Sequence, residues 1–483
     1  MIRSAQLIIS TVAIALLIVS PAPAQDPTDL FNLLDSAEIE EESILSKLSS
    51  NLGGSLNFRL QNHLTNPATS PGHFVYNQSA FGEARLGLAT WTGSDRWRLN
   101  IDTWLEAGNG KDIWSGQRKL SDFTRDLNSR RRPLELNEFY LRLYRDSYDL
   151  MFGKALFNNG IAPLYSPADR YGPFDYNNPV DSRQLGTWLA QIDYYIGDLT
   201  LTGAVLPVYQ PIKRPAFSSR WMSNLLASDD PQQAGGAPQD IPEIIPSVRA
   251  ENMSYLLKAK TTVGGWDLFA SAYNGNNYRF VTKGVPTIVT VPSDTGMVNL
   301  QTLDISKRIV RVANLAAGFT TVMNKWEFHA EAIYNYSYES KDDNYLNSVV
   351  GFGYTIDEIV GKIGLDKIDI KADYARKLTA REQSAEYYID STKDTRFSRD
   401  TNFGGDDLIA RITFTISDDL DLDLVTVKQF TYDGLMVRLI ADYTLAQNYG
   451  LTLFYDNFSG SRESLFGCWD SNDMVTVTFE YTF

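Results

Sequence analysis

Long apolar runs, cysteine, histidine and positive charge are all scarce in this 483-residue chain. After residue 24 no stretch approaches the roughly 18 continuous apolar residues of a membrane helix, which excludes helical spanning although 43% of the residues are hydrophobic. A single cysteine, Cys468, excludes an internal disulfide. The three histidines, His63, His73 and His329, are too scattered for a clustered metal site. Nucleotide-binding glycine loops, His-Glu-x-x-His, Gly-x-Ser-x-Gly and Cys-x-x-Cys-His are all missing, and no cofactor is implied. Lys and Arg number 44 against 59 Asp and Glu, and this net charge of −15 leaves no basic face for a phosphate backbone, so no nucleic-acid partner is expected.

What the chain does have begins with an address. Residues 1–24 read as a cleaved secretory signal, with Arg3 in the charged start, an apolar run from Leu7 to Val19, and Ala22-Pro23-Ala24 before Gln25. The run is shorter than the roughly 20 residues a bilayer requires, and Pro21 follows it. Residues 25–50 form a short periplasmic amphipathic segment, with Leu30, Leu33, Leu34, Ala37, Ile44, Leu45 and Leu48 at helical spacing behind Asp29 as a cap. It reads either as a plug or partner helix or as a leader before the first strand.

From residue 51 to 483 the chain is rich in aromatics, with 26 Tyr, 24 Phe and 9 Trp, and alternates polar and apolar residues in short segments. The expected fold is all-β, a transmembrane antiparallel barrel of about 18 strands (16–18). Its clearest strands run from Trp97 to Ala107, Leu136 to Arg145, Gly186 to Ile196, Trp326 to Tyr338, Lys367 to Tyr374, Leu408 to Ile416, Leu435 to Leu445 and Met474 to Phe483. Tight turns such as Gly197-Asp198, Gly264-Gly265, Met323-Asn324 and Ser417-Asp418 alternate with long polar stretches, among them Gly108 to Pro133, Leu156 to Arg183, Val208 to Ser247 and Asn274 to Ile305. A membrane barrel keeps short periplasmic turns on one rim and long external loops on the other, whereas a soluble β-domain has no cause to alternate them. In the last segment Val475, Val477, Phe479, Tyr481 and Phe483 share one face and Thr476, Thr478, Glu480 and Thr482 the other, as a strand between lipid and water requires. The terminal aromatic residue resembles the C-terminal signature that outer-membrane assembly machinery reads. The expected location is therefore the outer membrane, reached through the periplasm, with lipid and that machinery as partners.

Alternation turns Arg98, Arg142, Lys258, Glu327, Glu331, Lys371, Arg411 and Arg438 toward the lumen as expected pore-lining residues, together with Asp102, Glu106, Glu138, Lys260, Asp369, Asp373, Asp442 and Glu480. A Lys or Arg on the lipid face at midplane costs about 2 to 4 kcal/mol, so such charge belongs in a wet interior. The mixed signs predict weak ion selectivity unless a loop folds inward and narrows the passage. Candidate constriction residues are Asp169 and Arg183 in Leu156 to Arg183, and Lys213 and Arg214 in the next loop; the other reading makes both stretches solvated external loops.

Phe152-Gly153-Lys154 at a strand end, Asn159-Gly160, Ser166-Pro167-Ala168-Asp169, Asn178-Pro179-Val180-Asp181 and Val205-Leu206-Pro207-Val208-Tyr209-Gln210-Pro211 resemble the alginate-export-like and porin-like outer-membrane barrels over Leu134 to Trp221. Those barrels place a Trp-Gly pair where this chain has Asn159-Gly160. The resemblance implies a passive conduit of about eighteen strands. Alginate exporters have a strongly basic constriction, which the mixed charge here does not match, so alginate is not the expected cargo.

The expected function is a porin-like channel for diffusion or export of a polar solute or polymer, and not an enzyme. One alternative is a barrel sheath for an electron-transfer or transport partner in the periplasm or across the envelope. Another is an outer-membrane hydrolase built on Glu327-x-His329-x-Glu331, where a carboxylate could orient the histidine as a base.

Overall fold

The computed structural model describes residues 48–66, 78–110, 114, 120–216, 219–222, 243–278, 280–293, 296–357, 364–382, 405–431, 433–461 and 464–483. The secretory signal and all of the N-terminal segment before Leu48 lie outside these residues.

The strands in chain order are β1 (Gly53–His63), β2 (Ala80–Ser94), β3 (Trp97–Gly108), β4 (Leu134–Tyr144), β5 (Tyr148–Ala155), β6 (Phe174–Asp175), β7 (Arg183–Gln184), β8 (Thr187–Ile196), β9 (Leu199–Leu206), β10 (Glu243–Ile244), β11 (Ser254–Val263) and β12 (Trp266–Asn276). They continue with β13 (Val281–Ser293), β14 (Gly296–Arg308), β15 (Arg311–Met323), β16 (Trp326–Ser337), β17 (Asn344–Ile356), β18 (Lys367–Arg381), β19 (Asp406–Ser417), β20 (Leu420–Gln429), β21 (Gly434–Ala446), β22 (Tyr449–Gly460) and β23 (Met474–Thr482). Eighteen of them form one antiparallel sheet in which each pairs with its neighbour, and the last closes on the first through Ser55 opposite Thr482 to His63 opposite Met474. Closure leaves no free edge, which a sheet in lipid requires because its backbone polar groups have no water to bond.

The tight connections occupy one rim. Gly264 and Gly265 (φ 59° and 82°) join β11 to β12 with the two left-handed residues that a two-residue hairpin turn favours. The connection 357–366 is the long exception on this rim, while the opposite rim carries the long loops and also the short links 338–343 and 430–433.

Side chains facing away from the lumen are large and exposed, with Leu257 at 67%, Leu315 at 65% and Val350 at 56%. Aromatic pairs mark both ends of this apolar belt: Trp326 with Tyr354 (4.3 Å) and Tyr449 with Tyr481 (4.9 Å) at the tight-turn rim, and Tyr336 with Tyr338 (5.4 Å) at the other.

Asn274 to Ile305, expected as a polar loop, instead continues β12 to Asn276 and then builds the hairpin β13–β14, registered from Val281 opposite Arg308 to Ser293 opposite Gly296. Alternating Val and Thr favour a strand there, and the interspersed Pro, Gly and Asn hid that alternation in the sequence. The hairpin pairs with β10 and with no strand of the barrel.

Candidate functional site

Register assigns every barrel strand an inward face. Arg98 is directly opposite Arg142, Lys258 opposite Ser271, Glu331 opposite Gly318 and Val349, Lys371 opposite Arg411, and Arg438 opposite Asp456. Directly opposed residues share a face, so the inward face passes from strand to strand around the closed ring, with register shifts at Asp102/Thr103, Asn344/Tyr345, Thr415/Ser417 and Thr444/Ala446. By this register Arg98, Arg142, Lys258, Glu327, Glu331, Lys371, Arg411 and Arg438 share the inner face.

Their surroundings differ with depth. Near the tight-turn rim Arg98 is exposed within the lumen, its guanidinium 4.7 Å from the Trp91 ring. The side chains of Arg142, Lys371 and Arg411 keep 32, 39 and 47% of their surface. Arg142 bonds Asp149 at 2.9 Å, Arg411 bonds Asp423 at 2.6 Å, and Lys371 lies 3.8 Å from Glu327. Toward the other rim Arg438 is nearly enclosed against Asp456 at 2.5 Å. Glu331 is 2% exposed, so it faces inward without meeting solvent.

Chain folded into the barrel covers it. The segment 156–183 enters to mid-depth, where the Glu331 carboxylate accepts hydrogen bonds from Ile161 N (2.8 Å), Ala162 N (3.3 Å), Ser166 Oγ (2.7 Å) and Ala168 N (2.6 Å). Those four donors fill the lone-pair positions of a carboxylate. Gly160 is obligatory beside them, since a Cβ there would lie 1.7 Å from Ser166 Oγ and 2.8 Å from Glu331 Oε2. Asp373 accepts from Tyr165 N and pairs with His329 Nε2 at 2.8 Å, while Lys258 donates to Asn159 O at 2.7 Å.

The same segment is fixed on the opposite wall. Arg183 forks onto Glu106 of β3 (2.5 and 2.8 Å), and Asp181 pairs with Arg59 of β1. Asp175 binds Arg131, which also reaches Glu83 of β2 at 2.7 Å. Meanwhile Arg170 donates to Tyr345 and Asn347 to Tyr165, both wall residues on β17. In the ring of eighteen, β3 and β17 stand nine strands apart, so the segment crosses the lumen from wall to wall.

The four constriction candidates are each held by a partner, and Arg183 ties the segment to the wall. Arg183 holds Glu106; Asp169 accepts from Asn159 N at 3.1 Å and fixes the turn over Glu331. Lys213 is 1% exposed and binds Asp126 at 2.7 Å, and Arg214 binds Glu243 at 3.0 Å. Asp126 belongs to the mouth: burial pushes its carboxyl up, but Lys213, Arg132 and the Asn128 N–H together outweigh burial and hold it below the ordinary aspartate range.

Two features were not read from the sequence. Trp221 packs edge-on against Trp469 (5.1 Å) and Phe458 (6.0 Å), bringing 219–222 and the helical turn Gly467–Asn472 inside the barrel. Glu331 was read as lumenal charge and as part of Glu327-x-His329-x-Glu331, and not as a tether, because a fourfold acceptor site assembled from distant donors leaves no local pattern.

No protein-family model matches the chain, and no curated protein does. Among solved structures the fold is similar to Pseudomonas putida OprB, at 10% identity over 91% of this chain and 96% of that one, with a TM-score of 0.41. Pseudomonas aeruginosa OccD3 (OpdP) is similar at 10% identity, 89% and 91% coverage and a TM-score of 0.44; a mutant Rh. blastica porin is similar at 11%, 89% and 99%, with 0.35. Likeness this remote transfers no cargo. The closed ring, the apolar belt and the polar inner face make the chain an outer-membrane barrel.

Proposed function

We propose that the protein is a porin-like outer-membrane channel for small polar solutes, narrowed at mid-depth by the segment 156–183. The observation that carries this reading is the fastening of that segment to opposite walls by Glu331 and Glu106, which holds a restriction inside a lumen whose tight-turn half is open and charged. Cations there are largely compensated by facing carboxylates, as with Arg142 and Asp149 or Arg411 and Asp423, which favours weak selectivity over a strongly basic polymer path. The alginate-export-like resemblance brings no cargo into this reading. Lipid and the barrel-assembly machinery are the partners this reading includes.

A catalytic role is disfavoured. His329 is 2% exposed beneath the crossing segment, held by Asp373, and no hydroxyl bonds its imidazole among the described residues. A sheath for a trans-envelope partner is disfavoured by the same segment, which occupies the space such a partner would fill. Single-channel recording of the refolded protein in a planar bilayer tests the proposal: stepwise conductance is expected, and a folded barrel carrying no current overturns it.

A further inference from the structure

Inward-folded chain meets the barrel wall differently from one stretch of the ring to another. From β5 round to β16 Phe157, Ala168 and Tyr171 pack on Leu256, Phe269, Ala316 and Ile333, and the polar wall groups among them, Glu331, Lys258 and Ser271, bond the segment directly. From β19 to β23 the contact is apolar, where Trp221, Phe466 and Trp469 cover Ile409, Val427 and Met436. Between these sectors, β17 and β18 are closed by Tyr345, Val349 and Ala375, each no more than 1% exposed. Dry packing of this kind excludes water and ions.

The seam along β1 and β2 is different. Arg59, Gln61 and Glu83 of the wall face Asn177, Asn178 and Arg220 across a cavity of about 30 Å³, the room of one water molecule. Asn177 is 97% enclosed, yet among the described residues its Oδ1 has no hydrogen-bond partner, and neither have Asn178 Oδ1 and Arg59 Nε; such atoms also occur singly elsewhere, at Asn159, Tyr171 and Asn347, but here three of them border one cavity. Buried polar groups left unpaired at a seam indicate a place where water or a solute supplies the missing bonds. Arg59 is paired with Asp181 and Arg131 with Glu83 and Asp175, while Arg220 donates to Asn472 Oδ1 and to the carbonyls of Thr65, Gln78 and Ser471, so the seam offers hydrogen bonds of both senses.

Resting on the channel reading above, we infer that water, ions and small polar solutes cross the restriction along this β1–β2 seam. The ion pair between Arg59 and Asp181 is the fastening that sets the width.

Cysteine accessibility tests the route, because Cys468 is 1% exposed and silent to an aqueous reagent. Gln61→Cys and Asn178→Cys are recorded in potassium chloride before and after a bulky water-soluble methanethiosulfonate, alongside Ala316→Cys and Ile409→Cys from the apolar sectors. Loss of most of the current at positions 61 and 178, with none at 316 and 409, is expected. Block at 316 or 409 with none at 61 and 178 overturns the route while leaving the channel intact; a wild-type barrel that carries no current overturns both. Arg59→Ala supplies a second reading that needs no labelling, with conductance raised about twofold by the wider seam; unchanged conductance removes the pair from the path.

Discussion

Substituting Glu331 by Gln leaves one acceptor oxygen where four loop donors converge, and turns an amide N–H₂ toward the others. The tether should weaken by about 1 to 3 kcal/mol, the cost of buried donors left unmet. The expected outcome is a higher single-channel conductance in a barrel that still shows heat-modifiable migration on a gel; an unchanged conductance would show that Glu331 does not hold the restriction. Gly160→Ala attacks the same contact from the loop, since its Cβ would overlap Ser166 Oγ. Because both changes break one fastening, the double variant should conduct little more than either single one, a non-additivity that a double-mutant cycle reads directly. At the mouth, Asp126 has a folded-state pKa held below its ordinary value, so its contribution is present above about pH 3.9 and lost as pH falls through the lower folded value. Loop proteolysis at neutral pH should therefore be slow in the wild type and faster in Asp126→Asn, with the difference vanishing only in strong acid.

Elements differ in how clearly the sequence announces them. Met474–Thr482 and Trp326–Ser337 were legible almost to the residue, because one face of each meets lipid and every second position must be apolar. The inward direction of Arg98, Lys258 and Arg438 followed from the same alternation. That 156–183 folds inward was one of two readings left open; where it is captured was not legible, because the partners are distant in sequence, as with Ala168 and Glu331 (163 residues), Tyr165 and Asp373 (208 residues) or Arg183 and Glu106 (77 residues). The β13–β14 hairpin was hidden for another reason, since interspersed Pro, Gly and Asn interrupt its alternation. As no barrel strand pairs with it, replacing residues 284–305 by a short Gly-Ser linker should leave heat-modifiable migration and conductance steps intact. Loss of the folded form on the gel would show that the hairpin supports closure.

At the scale of the whole molecule the fold is an inside-out solution to one constraint, namely that the outer surface is solvated by hydrocarbon and the inner one by water. This asymmetry predicts opposite responses from two positions on one strand. Leu315, mid-strand on β15 and 65% exposed on the outer face, has only lipid to receive it. Thr320, on the inner face of the same strand, stands directly opposite Asp267. Leu315→Arg should therefore cost about 2 to 4 kcal/mol, while Thr320→Arg should change stability by less than about 1 kcal/mol because a facing carboxylate and water accept the charge. Urea unfolding of the two variants in lipid vesicles separates them. Equal costs would mean that the two faces are not solvated differently, and the assignment of Arg98, Arg142 and Arg411 to an aqueous lumen would lose its physical basis, since their tolerance depends on the same inequality.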